Sequence, residues 1–312
     1  MRNLFGYESS DHSSSTHVIN ADSELDTIKK IQYFILNFIC NLKCKVRIVN
    51  FSTKKFSPTE DQIDSHLKSL SEPQSPSRIL SNIFWESIDW SFVNETLQGE
   101  IRAIEVGCGS GRYGRKISQL TQIQSYMGVD IANSPDWNSN SESNFDYVLG
   151  SYEEFDSIVD KQNLLITQSA LEHFENDLKF FRLIGDYARS VTFPVLSIHL
   201  LPSPAGLFKF LLHGIRQYNK RSISNLLASA GPTNYAVLYS LGGIRSNFFH
   251  FVSITLRSLI LRKWIAGQEI ESYKVKVQRP LVIDSKRNSF RCPSFYALVI
   301  YWGEEPMDRD IV

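Results

Sequence analysis

Glu105, Gly107, Gly109 and Gly111, in the run IRAIEVGCGSGRYG over residues 101–114, are the residues whose types and spacing point most directly to chemistry. A short apolar run that carries one acid and then breaks into alternating glycines reads as a buried strand turning sharply into a helix. Glycine permits both the tight turn and a close approach of backbone to ligand. A nucleotide-like cofactor is the expected occupant. Asp130 closes the next expected strand about twenty residues later, where a carboxylate can accept hydrogen bonds from both hydroxyls of a ribose.

Two cofactors present such a ribose, and the glycines alone do not separate them. Gly109, Gly111 and Gly114 also satisfy GxGxxG, the fingerprint of an NAD-dependent oxidoreductase. Glu105, two residues before Gly107, favours the other choice. A carboxylate at the strand end sits well beside the ammonium group of an amino acid and badly beside a pyrophosphate. That suits the methionine half of S-adenosylmethionine. Two histidines at strand ends are the expected acid-base groups: His173, beside Glu172, and His199, because imidazole titrates near neutrality.

These residues need a scaffold, and the pattern around them supplies one. Residues 125–131, 145–149, 163–168 and 191–200 are short apolar or β-branched runs separated by helix-length segments. That rhythm predicts a doubly wound, Rossmann-like α/β fold, whose parallel sheet binds ligands at the carboxyl ends of its strands. Residues 235–240 and 294–302 read as further strands, the last one antiparallel, for a seven-stranded, mostly parallel sheet. Residues 79–97 predict a helix that walls one side of the site. Upstream, residues 25–42 carry apolar positions at helical spacing, residues 45–51 a short strand, and residues 61–70 a short helix within a polar linker.

EVGCGSG, GVD, LGSYEEF and QSALEHFEND, taken in order, resemble successive motifs of the class I S-adenosylmethionine-dependent methyltransferases, in particular their small-molecule group. The resemblance covers residues 101–200. It implies that Gly107, Gly109 and Gly111 underlie the methionine moiety, that Glu105 lies near its amino group and that Asp130 holds the ribose. Ser151, with Tyr152 beside it, falls where the family usually has an acid on the adenine amino group. Gln168 matches a residue along the path of the transferred methyl. The implied function is methylation, at oxygen, of a small-molecule or glycan-like acceptor. The competing readings are an NAD-dependent oxidoreductase and a catalytically silent protein that keeps the fold.

Composition sets the remaining bounds. The 312 residues are 42% hydrophobic and 21% charged, which suits a globular chain with a sizeable core. Lys and Arg equal Asp and Glu, 33 against 33, so net charge names no partner and no nucleic acid is expected. Basic residues nonetheless collect in the last third, which suits an anionic acceptor or peripheral contact with a membrane surface. Four scattered cysteines fit a reduced, cytoplasmic setting, and Cys40 with Cys44 lacks the partners of a zinc site, so no metal is expected. The apolar stretches are too short or too interrupted to span a bilayer. The expected organisation is a disordered arm over 1–23, a helical N-terminal extension and linker over 24–78, and a methyltransferase domain over 79–312. That domain carries a helical insertion at 242–292.

Overall fold

The computed structural model describes residues 28, 31, 32, 35, 38, 39, 49–209, 216–257, 260, 269–287, 292–305, 307 and 309–312. The expected arm over 1–23, Cys40 and Cys44 lie outside them. Of the helix expected over 25–42, the described positions 28, 31, 32, 35, 38 and 39 are helical.

Eight strands form one sheet: β1 (Ser52–Phe56), β2 (Arg102–Val106), β3 (Ser125–Asp130), β4 (Phe145–Leu149), β5 (Leu164–Gln168), β6 (Val195–Pro202), β7 (Tyr235–Leu241) and β8 (Phe295–Trp302). Their spatial order is β1-β7-β8-β6-β5-β2-β3-β4. Every neighbouring pair is parallel except those of β8, which runs antiparallel between β6 and β7. β6 and β8 are buried along their whole length, as strands covered on both faces must be.

The expected architecture is the observed one, enlarged by an eighth strand. β1 was hidden in the sequence because STKKF is polar. It lies at the sheet edge beside β7, where lysines are tolerated and discourage further pairing. Of the strand expected over 45–51, residues 45–48 lie outside the described residues and 49–51 are irregular.

One face of the sheet is covered by α1 (Glu60–Ser69), α2 (Pro76–Glu86), α3 (Trp90–Thr96) and α4 (Arg112–Ser118). The single helix expected over 79–97 is two, because Asp89 leaves the helical conformation and its carboxylate accepts from the Phe92 amide to start α3. The other face is covered by α5 (Asp177–Ser190) and α6 (Lys220–Ala230). Asn176 and Asn219 cap these two helices through their side chains.

The insertion contributes α7 (Ile244–His250), the wide π-helical turns Phe251–Leu256 that continue it, and α8 (Ile270–Lys286). α8 lies within the expected helical insertion and runs through Pro280. It folds because Tyr273, Val277 and Leu281 share one buried face, and its neighbours fix it. The Gln278 side chain donates to Asp64 of α1, and Tyr273 donates to the Gln74 carbonyl. Asp284 caps α7 from α8, accepting from the Ser246 amide and hydroxyl at 2.7 Å each. The N-terminal extension and the insertion are thereby one continuous layer.

α5 and α6 approach closely at Gly185, where a Cβ would run into the Ala230 carbonyl oxygen. Overpacking of this kind costs about 1–3 kcal/mol. Gly185→Ala is expected to lower the Tm in thermal melts, and an unchanged Tm would mean that the two helices can part without loss.

Candidate functional site

The turn from β2 into α4 is fastened to the end of β3. The amides of Gly107 and Cys108 both donate to the Val129 carbonyl, at 2.8 and 3.1 Å. Gly107 (φ +77°) and Gly109 (φ +55°) take left-handed conformations that favour glycine, for different ends. A Cβ on Gly107 would collide with that of Ala170, so the β2 and β5 loops can meet only over a bare Cα. A Cβ on Gly109 would meet nothing within 4 Å. The backbone there faces open space.

Asp130 frames that space. Its Oδ2 accepts from the Gly109 amide at 2.7 Å and its Oδ1 from the Ala132 amide at 3.1 Å. An ionised carboxylate has about four lone-pair sites, so room remains for two hydroxyl donors. Two groups missed in the sequence stand beside it. Ile131 is 78% exposed and Leu149 is 63% exposed, at the carboxyl ends of neighbouring strands, an apolar pair suited to the faces of a flat ring. Their signal was an apolar residue at each strand terminus with no periodic partner. Trp137 was also missed. Its indole N–H donates to the Gly109 carbonyl at 2.8 Å and its ring stacks on Tyr147 at 5.1 Å.

Glu105 lies beneath the turn, fully buried, with the Tyr126 hydroxyl donating to its Oε2 at 2.6 Å. Burial pushes its pKa up to about 8, the Tyr126 hydrogen bond and Arg112 opposing the shift and Asp130 adding to it. The carboxyl is therefore mostly protonated at neutral pH. A cation arriving nearby would draw the proton off.

The β5 side is held differently. The Gln168 Oε1 accepts from the Trp85 indole at 2.9 Å, which joins α2 to the end of β5, and Ser169 follows in a left-handed turn at φ +53°. Ser151 caps the short turn Tyr152–Glu154, its hydroxyl accepting from the Glu153 amide at 3.3 Å. Tyr152 stacks on Phe174 at 4.5 Å and its hydroxyl accepts from the Asn176 amide at 2.9 Å. Tyr152 thus braces the loop after β5. His173 is half-buried in that loop, on the turn Leu171–His173.

A buried clamp sets the position of this loop. Arg216 pairs with Asp177 at 3.1 Å, both nearly inaccessible, and donates to the carbonyls of Phe174 and Glu175. The Tyr218 hydroxyl donates to the Leu171 carbonyl at 3.1 Å. No sequence motif announced this clamp, because its members are far apart in the chain.

His199 is not brought to the site, which corrects its place among the expected acid-base groups. Its ring is wholly buried between β6 and α5, against Phe181 at 4.9 Å, with Nδ1 on the Thr167 hydroxyl at 2.9 Å. Burial lowers its pKa to about 3, so it is a neutral core residue. Among the described residues no cluster of three or more His, Cys, Asp or Glu side chains could hold a metal, and no helix is long and apolar enough to cross a membrane.

Solved structures similar to this chain share its fold distantly. The plantazolicin methyltransferase BamL, crystallised with a triazolic desmethylPZN analog and SAH, is 12% identical, with 79% of this chain and 92% of that one covered and a TM-score of 0.39. A SAM-dependent methyltransferase from Archaeoglobus fulgidus is 16% identical over 67% and 89% of the two chains, with a TM-score of 0.42. A putative sarcosine dimethylglycine methyltransferase from Galdieria sulphuraria is 16% identical over 78% and 97%, with a TM-score of 0.41. No protein family and no curated protein matches the sequence.

Glu105 also makes the fold sensitive to pH. A carboxyl raised from 4.5 to about 8 on folding holds its proton more tightly in the native state, so its contribution is full below pH 4.5 and is lost as pH rises toward 8. At about 1.4 kcal/mol per unit, the loss at pH 7 is roughly 3 kcal/mol. Glu105→Gln should therefore raise the Tm at pH 7 to 8, the gain shrinking toward pH 4.5. Parallel melting curves at every pH would show that Glu105 is ionised in the folded protein.

Proposed function

We propose that this chain is an S-adenosylmethionine-dependent methyltransferase that methylates an oxygen of a small-molecule or glycan-like acceptor. One observation carries the reading: Asp130, Gly109 and the exposed Ile131 and Leu149 converge at the carboxyl ends of β2, β3 and β4, over a turn with an acid beneath it. The groups fit that cofactor. Asp130 would hold the ribose hydroxyls, Ile131 and Leu149 would cover the faces of the adenine, and the Gly107–Gly111 backbone would pass under the methionine portion. Glu105, once ionised, would balance its ammonium group.

When bound, the cofactor supplies an electrophilic methyl group on a sulfonium. The chain's own part is to align the acceptor and exclude water. Gln168 and Ser169, at the end of β5, border the acceptor's approach. A hydroxyl is a poor nucleophile, and His173 would accept its proton. The Arg216 clamp would serve by keeping the His173 loop in register with the glycine turn.

The dinucleotide reading loses ground to the topology. Two parallel βαβαβ halves make a dinucleotide site, whereas β8 here runs antiparallel within the second half of the sheet. Ser151, where the family usually has an acid, favours the catalytically silent reading, and the intact Glu105, Gly107, Gly109, Gly111 and Asp130 oppose it.

Calorimetry with S-adenosylhomocysteine and with NADH tests the cofactor. S-adenosylhomocysteine is expected to bind, and Asp130→Ala to weaken it about tenfold or more, since hydrogen bonds to a charged group are lost. Binding of NADH alone would overturn the reading. With labelled cofactor and an acceptor found by screening, His173→Asn should lower kcat by about 100-fold or more and leave the KM for cofactor unchanged. An unaltered kcat would remove His173 from the mechanism.

A further inference from the structure

We propose that the face built by the segments leaving β6 and β7 docks on an anionic phospholipid bilayer. β6 is parallel to β5, and β6 and β7 both pair antiparallel with β8, so all three strands point the same way. The chain that follows Pro202 and Leu241 therefore emerges on the sheet edge that carries Gly109 and Ser169. On these segments apolar side chains face water. Ile244, Phe248 and Val252, spaced by four along α7 and the turns after it, form an exposed ridge on which Phe248 is 65% exposed. Ile260, farther along, is 73% exposed.

A second ridge adjoins the first. Ile28, Ile31, Ile35, Phe38 and Ile39 recur at helical spacing and are all exposed, and the Phe38 ring lies edge-on to exposed Phe208, 6.3 Å away. Phe208 follows β6 on the turn Gly206–Lys209. Apolar patches of this extent mark contact with a partner or a membrane.

Charge decides between those occupants. Between Asp186 and Glu269 the sequence has no acidic residue and nine lysines or arginines, in a chain whose charges balance overall. Lys209 and Arg216 are buried, but Arg245 is exposed and lies on the Phe248 side of the ridge. A second copy would set this basic face against itself. An anionic bilayer matches both features at once, with apolar side chains entering at the acyl boundary and cations at the headgroups. Docked this way, the β6 and β7 side of the glycine-turn edge meets the membrane while exposed Glu153 and Glu175, on the loops after β4 and β5, stay clear of it, which assigns the acceptor to amphiphiles whose polar head carries the hydroxyl. That consequence rests on the methyl-transfer reading, and the docking face does not.

Flotation of the purified full chain with vesicles of phosphatidylglycerol and phosphatidylcholine, or of phosphatidylcholine alone, is the test. The wild type should float with the anionic vesicles only, and less so in high salt. Phe248→Glu with Val252→Glu, and separately Arg245→Glu, should each reduce flotation about tenfold or more while binding S-adenosylhomocysteine as the wild type does, which also shows that they fold. Failure of the wild type to float with anionic vesicles, or variants that float equally well, would overturn the proposal. So would light scattering that finds a dimer which these variants split, since the face would then belong to a second copy. Flotation without any S-adenosylhomocysteine binding, the variants' folding then judged by circular dichroism, would uphold the docking face and sink the enzymatic reading.

Discussion

The contact on which this site depends is the fastening of the glycine turn to the end of β3. Two amides share the Val129 carbonyl and a third reaches the Asp130 carboxylate, so one strand end holds the neighbouring loop at three points. This is possible only because β2 and β3 are parallel and in register through Val106 and Val129, which brings the turn level with Asp130. It also commits Gly107 to a bare Cα against Ala170, and through that contact ties β5 to the same geometry. Three strand ends are thus set by one turn.

Around this centre the structure uses polar groups in two ways. Beneath the turn, Glu105 and Tyr126 form a buried pair whose carboxyl keeps its proton because charge is costly there. Behind the β5 loop, Arg216 and Asp177 are buried as an ion pair and carry extra hydrogen bonds from Arg216 to backbone carbonyls, the condition under which such burial is tolerated. The first stores a response to a cation. The second stores a loop position.

The two parts of the chain outside the core sheet motif, the N-terminal extension and the insertion after β7, join on one side of the molecule. α8 closes against α1, and Asp284 starts α7. Along α7 the uncovered side chains of Ile244, Arg245 and Phe248 are apolar or basic.

By itself the sequence determined the sheet and the turn. Apolar runs of strand length, glycines at 107, 109 and 111 and an acid at 130 encode local geometry, and local geometry is legible because its causes are adjacent in the chain. Only tertiary structure decided the rest. It joined STKKF to β7, set α8 against α1 by its buried face, and drew His199 into the core although its strand ends beside that of Gln168. It also brought Arg216 to Asp177, and Leu149 beside Asp130. Each of these outcomes turns on which faces are covered and by what, a property of packing between distant segments that no spacing within one segment records.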